Sequence, residues 1–188
     1  MKIDVFNHLF PRRFFDQYID CPGAPKDIGK RVRAMPTVVD LDARFRVMDE
    51  FGEYVQLISL PSPPIEKLAA PDKSPGLARL ANDEMAALTI KYPDRFPRFV
   101  ASVALNNPEQ AVLEAVRAVT KLGACGVQIF SNAAGKPLDL PEFLPLFEEM
   151  HKRQATLFLR PARAAGTEPP ARHRSQTEER HPRRHEDW

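Results

Sequence analysis

The sequence predicts an α/β protein built around a parallel β-sheet. Its strand-like segments are short, continuous apolar runs rather than alternating ones, as in EYVQLISL and CGVQIF. Each run is followed by a segment whose apolar residues recur at helical spacing. Parallel strands that crossover helices bury on both faces have this pattern, whereas half-exposed antiparallel strands alternate. The chain is therefore predicted to consist of repeated βα units.

About five βα units are predicted, and two architectures accommodate them. The predicted strands are residues 2–6, 53–60, 98–105, 125–130 and 155–159. A doubly wound sheet and part of a (β/α)8 barrel both fit this number of units. The 188 residues of the chain are too few for a complete barrel, which typically needs about 250. The pattern by itself leaves both architectures open.

The first two units combine clear helix signals with one long irregular segment. After strand 2–6, the stretch RRFFDQYI predicts a brief helix that begins behind Pro11. Residues 20–39 carry Pro and Gly at irregular spacing and are predicted to be an insertion or a long loop. Asp40 is then a typical N-cap, with apolar residues at helical spacing behind it and Gly52 as a C-terminal stop.

The later helices are marked by their own start and stop residues. One helix is predicted over residues 75–92, and Pro93 ends it. The clearest helix is NNPEQAVLEAVRAVTKLG, in which Asn107 is the cap, Pro108 takes the first helical position and Gly123 closes the helix. Its predicted inward stripe is Val112, Val116, Val119 and Leu122. The stretch LPEFLPLFEEMHKR predicts the last helix before the fifth strand.

From Thr167 the composition changes abruptly. Residues 167–188 contain no Leu, Ile, Val, Met or Phe, and their five Arg are balanced by five Asp and Glu. Such a segment cannot bury a core and is predicted to be disordered. Two origins stay open, a natural tail or translation out of frame, since both produce Arg-, Pro- and His-rich sequence. We therefore divide the chain into a folded domain, residues 1–166, and this polar tail.

Charge, hydropathy and cysteine usage exclude several function classes. The chain has 27 Lys and Arg against 25 Asp and Glu, which gives no electrostatic basis for nucleic-acid binding. No apolar stretch is long enough to span a membrane, and polar residues interrupt any signal-peptide core near the start. Cys21 and Cys125 form no CxxC pair and are expected to be reduced thiols. We expect a cytoplasmic protein without nucleic-acid or membrane partners.

The carboxyl ends of the predicted strands carry the candidate site residues, because parallel α/β folds place their chemistry there. These residues are His8, Ser59, Gln128, Asn132 and Arg160. Gln128 and Asn132 can hydrogen-bond a substrate, although loop stabilisation is the commoner role of such side chains. Ser59 has no histidine partner in the pattern, which argues against a nucleophilic serine. His8 is the only histidine at a strand end, and metal sites usually need three or more ligands, so the residues alone predict no metal.

Five segments together resemble the metal-dependent amidohydrolase family: KIDVFNHLFP, MDEFGEYVQLISLPSPP, ANDEMAALTIKYPDRFPRFVASVALNNPEQAVLEAVRAV, LGACGVQIFSNAAGKPLDLPEFLPLFEEM and ATLFLRPAR. The resemblance is to the branch of aminocarboxymuconate-semialdehyde decarboxylase and related carboxy-lyases. It implies a (β/α)8 barrel, here partial, with about five βα units. It also implies a divalent metal, most often zinc, and a small carboxylated substrate that is often aromatic.

Position by position, the resemblance places one metal ligand in this chain. The first strand of the family ends in His-x-His, and here Phe6 stands at the first position and His8 at the second. The fifth strand of the family ends in His-Pro, whereas this chain has Arg160 before Pro161. A guanidinium stays cationic and cannot coordinate a metal, but its forked donors can hold a carboxylate. We therefore predict His8 as a metal ligand, and Arg160 and Gln128 as substrate contacts.

The implied function is that of a metal-dependent carboxy-lyase or hydrolase acting on a small carboxylated substrate. The remaining ligands of the family follow later strands, so we expect a truncated protein with little or no activity unless another chain completes the barrel. Whether the chain is an enzyme therefore stays open. The alternative is a non-enzymatic binding or regulatory module that associates with itself or with a full-length relative through its open sheet edges.

Overall fold

A five-stranded parallel sheet organises the molecule. The computed structural model describes residues 1–162, and its sheet has the strand order β1-β2-β3-β4-β5. The strands are β1 (Lys2–Asp4), β2 (Tyr54–Ile58), β3 (Arg98–Ser102), β4 (Gly126–Phe130) and β5 (Thr156–Arg160). The predicted tail, residues 167–188, lies outside the described residues, so its disorder and its origin stay predictions.

Helices connect the successive strands. They are α1 (Arg12–Tyr18), α2 (Ile28–Ala34), α3 (Leu41–Asp49), α4 (Ile65–Leu68), α5 (Ser74–Lys91), α6 (Pro108–Lys121) and α7 (Leu144–Lys152). Two 3-10 turns, Pro36–Val38 and Pro141–Phe143, precede α3 and α7. Both predicted caps form, because the side chain of Asp40 accepts from Ala43 N and that of Asn107 from Gln110 N. No helix in residues 1–162 combines the length and the apolarity that a membrane crossing needs.

The consecutive strand order decides between the two predicted architectures. A doubly wound sheet reverses its order at a switch point, whereas the strands of a (β/α)8 barrel follow one another around the sheet. Here every strand pairs in parallel with the next one, so that Val127 of β4 lies between Ala101 of β3 and Leu157 of β5. The partial (β/α)8 barrel of five units is therefore confirmed.

The core lies between the sheet and the helices. Strand β4, between β3 and β5, is buried along its whole length, and Phe14, Phe99 and Phe143 from three other elements are fully buried. The two edge strands are more open, since Ile3 of β1 is 54% exposed and Leu159 of β5 is 62% exposed. Apolar surface therefore remains uncovered at both edges of the sheet within the described residues.

The prediction of a long loop over residues 20–39 is wrong in part. Helix α2 and the 3-10 turn Pro36–Val38 occupy much of this segment. An ion pair between Arg31 and Asp27, with 2.8 Å between Nε and Oδ2, lies across the first turn of α2. Ile28 and Val38 pack against the core from this segment. The irregular Pro and Gly spacing concealed a helix of only two turns, which has too few residues to show a period.

The predicted inward stripe of α6 is wrong in part, because Val112, Val119 and Leu122 pack against the core without being its most buried residues. The buried apolar residues of this helix are Ala111, Ala115 and Ala118, whereas Val112 and Val119 are only partly buried. Small side chains on the inner face let a helix approach closely, and the larger valines flank that line of contact. Hydropathy alone favours valine over alanine at inward positions. The predicted inward face of the helix is therefore displaced by about one residue from the observed one.

Gly126 provides a test of how closely β4 and β5 pack. A Cβ atom at this position would lie 2.4 Å from Thr156 O and 2.8 Å from the ring of Phe158. We expect Gly126→Ala to destabilise the fold by about 1–3 kcal/mol, as overpacking of an interior does. Urea unfolding, followed by circular dichroism, measures this free energy.

Gly76 in α5 is the matched control, because nothing lies within 4 Å of a Cβ placed there. Gly76→Ala should leave the fold intact and stabilise it by up to about 1 kcal/mol through helix propensity. Equal unfolding midpoints for the two alanine variants would contradict the close approach of β4 and β5.

Candidate functional site

The carboxyl ends of the strands bring the predicted site residues together. His8 follows β1, Ser59 follows β2, Gln128 is the middle residue of β4 and Arg160 ends β5. β1 itself is shorter than predicted, because the backbone N–H of Phe6 donates to Asp4 Oδ1 at 2.9 Å and turns the chain. His8 therefore lies on the connection after the strand rather than in its pleat.

The hydrogen bonds of Ser59 determine which nitrogen of His8 carries the proton. Ser59 Oγ donates to the carbonyl oxygen of Asn7 at 2.7 Å and lies 2.8 Å from His8 Nδ1. Since the only hydroxyl proton of Ser59 is used on Asn7, we assign the second hydrogen bond to His8 Nδ1–H as donor. His8 Nε2 then has an unshared lone pair, and this buried atom has no hydrogen-bond partner within residues 1–162.

His8 is neutral under physiological conditions. Burial, assisted by the positive charges of Arg160 and Arg44, lowers the pKa of His8 to about 4. Asp4 acts in the opposite direction but with less effect. The side chain is therefore an uncharged imidazole with a buried acceptor nitrogen, not a cation.

Arg44 holds the backbone of the His8 segment in place. Its guanidinium donates to Gln56 Oε1 at 2.6 Å, to Asn7 Oδ1 at 3.3 Å and to the carbonyl oxygen of His8. Its Nε–H donates to Thr37 O at 2.8 Å. Arg44 is 5% exposed, and burial lowers the pKa of this guanidinium to about 10. The arginine remains charged; its hydrogen bonds all go to neutral oxygens, and the nearby carboxylate of Asp4 favours the charge without bonding to it.

Arg160 lies between two aromatic rings. Its Cζ is 5.3 Å from the ring centroid of Phe6 and 5.3 Å from that of Phe130. One terminal nitrogen donates to Leu60 O at 3.2 Å and to Gln128 Oε1 at 3.3 Å. No carboxylate in residues 1–162 lies within ion-pair distance of it. The half-buried guanidinium is thus held by neutral groups, and burial lowers its pKa.

The two predicted amides differ in position. Gln128 lies next to Arg160, since its Oε1 accepts from the guanidinium and its Nε2 donates to Leu60 O at 3.3 Å. Asn132 instead stabilises its own loop: its Oδ1 accepts from Gly135 N at 2.9 Å. Arg160 and Gln128 therefore form one cluster with His8 at the carboxyl ends of the strands, and Asn132 has the loop role.

Two further polar residues, Glu66 and Ser102, line a small cavity beside the cluster of Arg160, Gln128 and His8. Glu66 on α4 is 7% exposed, and burial raises its pKa to about 7. Glu66 Oε1 and Ser102 Oγ are both buried without a partner in residues 1–162. Both residues, together with Gln128, line a cavity of about 10 Å³. A polar cavity of that size is large enough for about one water molecule.

The divalent metal that the resemblance implies does not fit the described residues. No group of three His, Cys, Asp or Glu side chains in residues 1–162 converges to hold an ion. His8 Nε2 supplies one lone pair, while Phe6 has no ligand atom and Arg160 brings a positive charge beside the same ring. Zinc and manganese sites use three or more protein ligands, so these residues alone do not form a metal centre.

Comparison with known proteins decides the family. The amidohydrolase family model matches residues 3–183. The chain belongs to the amidohydrolase family. The resemblance carried by the five sequence segments is thereby confirmed.

Two relatives and one solved structure indicate the branch to which this amidohydrolase is similar. The 2-amino-3-carboxymuconate-6-semialdehyde decarboxylase of Dictyostelium discoideum is 28% identical over 181 residues, which cover 88% of this chain and 50% of that protein. The gamma-resorcylate decarboxylase of Rhodococcus jostii is 33% identical over 129 residues, covering 64% and 39%. The chain thus spans about half the length of its curated relatives or less.

The solved structure is the 5-carboxyvanillate decarboxylase of Novosphingobium aromaticivorans, in complex with manganese and 4-hydroxy-3-methoxy-5-nitrobenzoic acid. It is 28% identical, has a TM-score of 0.75, and is matched over 87% of this chain and 51% of its own. A divalent metal is therefore present in a relative, but it is manganese, and zinc is not shown. The roles predicted for His8, Arg160 and Gln128 in this amidohydrolase stay predictions.

Sequence reasoning missed two residues of the amidohydrolase site. Arg44 follows Leu41 and precedes Phe45 and Met48 at helical spacing, so a charged residue stands on the apolar face of α3. That position was a readable signal, because an inward-facing arginine requires buried acceptors. Glu66 offered no such signal, since the four-residue helix α4 has no period of its own.

The buried carboxyl of Glu66 makes the stability of this amidohydrolase dependent on pH. Its pKa rises from 4.5 to about 7 on folding, so the folded protein binds the proton more tightly than the unfolded chain. Stability therefore falls as pH rises between these two values, by roughly 3.5 kcal/mol at about 1.4 kcal/mol per pKa unit, of which about 2.5 kcal/mol falls between pH 5 and pH 8. Glu66→Gln should remove this loss, which urea unfolding at pH 5 and pH 8 measures.

Glu148→Gln is the control for the Glu66 experiment, because Glu148 is exposed and makes no ion pair within residues 1–162. It should change the pH dependence little. If Glu66→Gln and the original protein lose the same stability between pH 5 and pH 8, Glu66 does not titrate as described.

Proposed function

We propose that this amidohydrolase binds a small aromatic carboxylate at the carboxyl ends of its strands, as a relative of aromatic-acid decarboxylases. The observation that carries the proposal is the pairing of Arg160 with His8. A half-buried cation with no carboxylate partner in residues 1–162 and an acceptor nitrogen lie against the same Phe6 ring. A ligand that carries an anion and a hydroxyl donor is complementary to this pair.

A 2-hydroxybenzoate is the ligand class that meets both requirements. Its carboxylate accepts hydrogen bonds from the guanidinium of Arg160, while its neighbouring hydroxyl donates to His8 Nε2. The ring of Phe6, which is 69% exposed, offers an apolar face to the aromatic body of the ligand. One relative is named for gamma-resorcylate, a 2,6-dihydroxybenzoate, and supports this class. The ligand of the solved relative has its hydroxyl para to the carboxyl, so it supports an aromatic carboxylate but not the 2-hydroxyl.

The proposed reaction class is decarboxylation. The bond between the ring carbon and the carboxylate breaks, carbon dioxide leaves, and the electron pair left on the carbon takes up a proton. Residues 1–162 supply binding and orientation, through Arg160, Gln128 and His8, but not the ligand set of a metal centre. We therefore propose ligand binding with little or no turnover by these residues alone, and the chain spans only about half of its relatives.

A cytoplasmic location and a homo-oligomeric state stay predictions. Hydrolysis in place of decarboxylation has no support among the relatives reported above, which are all named decarboxylases. The alternative of a regulatory module likewise gains no support from them.

Arg160→Gln tests the proposed ligand contact. Loss of a charged hydrogen-bond donor costs about 1.5–3 kcal/mol, so the affinity for gamma-resorcylate should fall roughly 10- to 100-fold. Isothermal titration calorimetry gives the dissociation constants. Benzoate, which lacks the hydroxyls, should bind the original protein roughly 5-fold more weakly than gamma-resorcylate, since it loses the neutral bond to His8.

Arg98→Gln is the matched control, because Arg98 begins β3 at the opposite end of the sheet and donates to Gly123 O. It should leave the affinity unchanged. The proposal is wrong if Arg160→Gln binds gamma-resorcylate as tightly as Arg98→Gln does.

A further inference from the structure

We propose that Arg160 is the permanent cation of this site, so that the chain binds its carboxylate ligand without a divalent metal. This inference rests on the proposed function for the identity of the ligand. It departs from the manganese-bound relative, because here a protein side chain supplies the positive charge.

The side-chain atoms around His8 that could bind a metal either already take part in hydrogen bonds or are missing. Ser59 Oγ is shared between Asn7 O and His8 Nδ1, and Gln128 Oε1 accepts from Arg160. Phe6 presents only ring atoms to His8, at 5.1 Å between the ring centroids. Among the side-chain nitrogens and oxygens of His8, Ser59 and Gln128, His8 Nε2 is thus the one atom without a hydrogen-bond partner in residues 1–162. A single imidazole does not hold a divalent ion against water.

The guanidinium of Arg160 is held firmly without being neutralised. Two aromatic faces, those of Phe6 and Phe130, and two neutral oxygens, Leu60 O and Gln128 Oε1, surround it. These groups attract a cation through their quadrupoles and dipoles but carry no net charge. The full positive charge therefore remains for an external anion, in a half-buried place where water screens it less.

The curvature of the sheet brings Arg160 close to His8. β1 and β5 are the two edge strands, which four strand spacings, or about 19 Å, would separate in a flat sheet. Nevertheless Arg160 from β5 reaches the ring of Phe6, which follows β1, at 5.3 Å. The guanidinium therefore extends across the concave side of the sheet, close to His8. A divalent ion on His8 Nε2 would share this space with a charge of the same sign.

The donors that Arg160 leaves available suit a carboxylate. Both of its hydrogen bonds to residues 1–162 use one terminal nitrogen, which has two N–H groups. The other terminal nitrogen and Nε lie on one side of the planar group, where they form the two-pronged donor that a carboxylate accepts in parallel. Neither of these nitrogens has an acceptor within the described residues. An arginine stays protonated at physiological pH, so it never becomes a metal ligand itself.

The decisive experiment titrates the original protein with manganese alone, and then with gamma-resorcylate in the presence of EDTA or of manganese. We expect no stoichiometric manganese binding at micromolar concentrations, and the same affinity for gamma-resorcylate in both buffers. Near-stoichiometric manganese, or an affinity that EDTA weakens about 10-fold or more, would overturn the inference. This arm requires no variant and so does not depend on how a substitution folds.

A variant arm tests the charge itself. Arg160→His at pH 8, where an exposed imidazole is neutral, removes the cation and adds a lone pair. We expect its metal-free affinity for gamma-resorcylate to fall roughly 10-fold or more, while Arg160→Lys, which keeps the charge but not the fork, loses less. If Arg160→His binds the ligand in EDTA as tightly as the original protein, Arg160 is not the cation of the site. Thermal unfolding confirms that each variant is folded.

The outcomes separate this inference from the proposed function. Manganese binding by the original protein overturns metal independence alone, because the ligand class is untouched by it. Absence of gamma-resorcylate binding in both buffers overturns the proposed function, and with it the carboxylate role of Arg160. Binding in both buffers that Arg160→His abolishes supports both.

Discussion

Consecutive parallel pairing of the strands is the constraint on which the rest of the structure depends. Because all five strands run in the same direction and each pairs with the next, their carboxyl ends meet on one side of the sheet. The hydrogen bond from Arg160 to Leu60 joins residues that are 100 positions apart in the chain. No local interaction brings such residues together. The site is a consequence of strand direction and order, and its chemistry depends on which side chains stand at those ends.

One buried and one half-buried arginine, Arg44 and Arg160, show how this protein accommodates positive charge. Buried charges are usually paired with an opposite charge, because desolvation is costly. Arg44 instead donates hydrogen bonds to neutral oxygens of Thr37, Asn7, Gln56 and His8. These bonds fix the backbone that carries the imidazole of His8. Arg160 makes fewer hydrogen bonds and keeps two donor nitrogens unused within residues 1–162. One arginine is therefore structural, and the other remains available to a ligand.

The two edge strands of the sheet also lead to two residues of the candidate site. β1 and β5 each have one unpaired side within the described residues, and both expose apolar side chains, Ile3 and Leu159. The site residues His8 and Arg160 follow or end these same edge strands, so the sheet must curve for their side chains to approach one another. The match of this curved half with a solved relative, at a TM-score of 0.75 over 51% of that chain, agrees with a segment of an eight-stranded barrel.

The sequence by itself determined the features that depend on near neighbours. Continuous apolar runs located all the strands, and Asp40 and Asn107 were recognised as caps, because a cap bonds to an amide three residues away. It also placed His8 after the first strand and Arg160 at the end of the fifth, whereas Gln128, predicted at a strand end, lies in the middle of β4. Strand order, which excluded the doubly wound alternative, was not readable, since both folds share the same βα repeat.

Only the tertiary structure decided the features that depend on distance in space. The alanine face of α6 reflects how closely that helix packs, and the shifted pKa of Glu66 reflects burial by residues far away in the chain. The sequence showed that Arg160 occupies a position where the family has histidine. That its guanidinium lies between Phe6 and Phe130, without a carboxylate partner among the described residues, follows from the curvature of the sheet. A pattern with periods of two or four residues carries no information about such curvature.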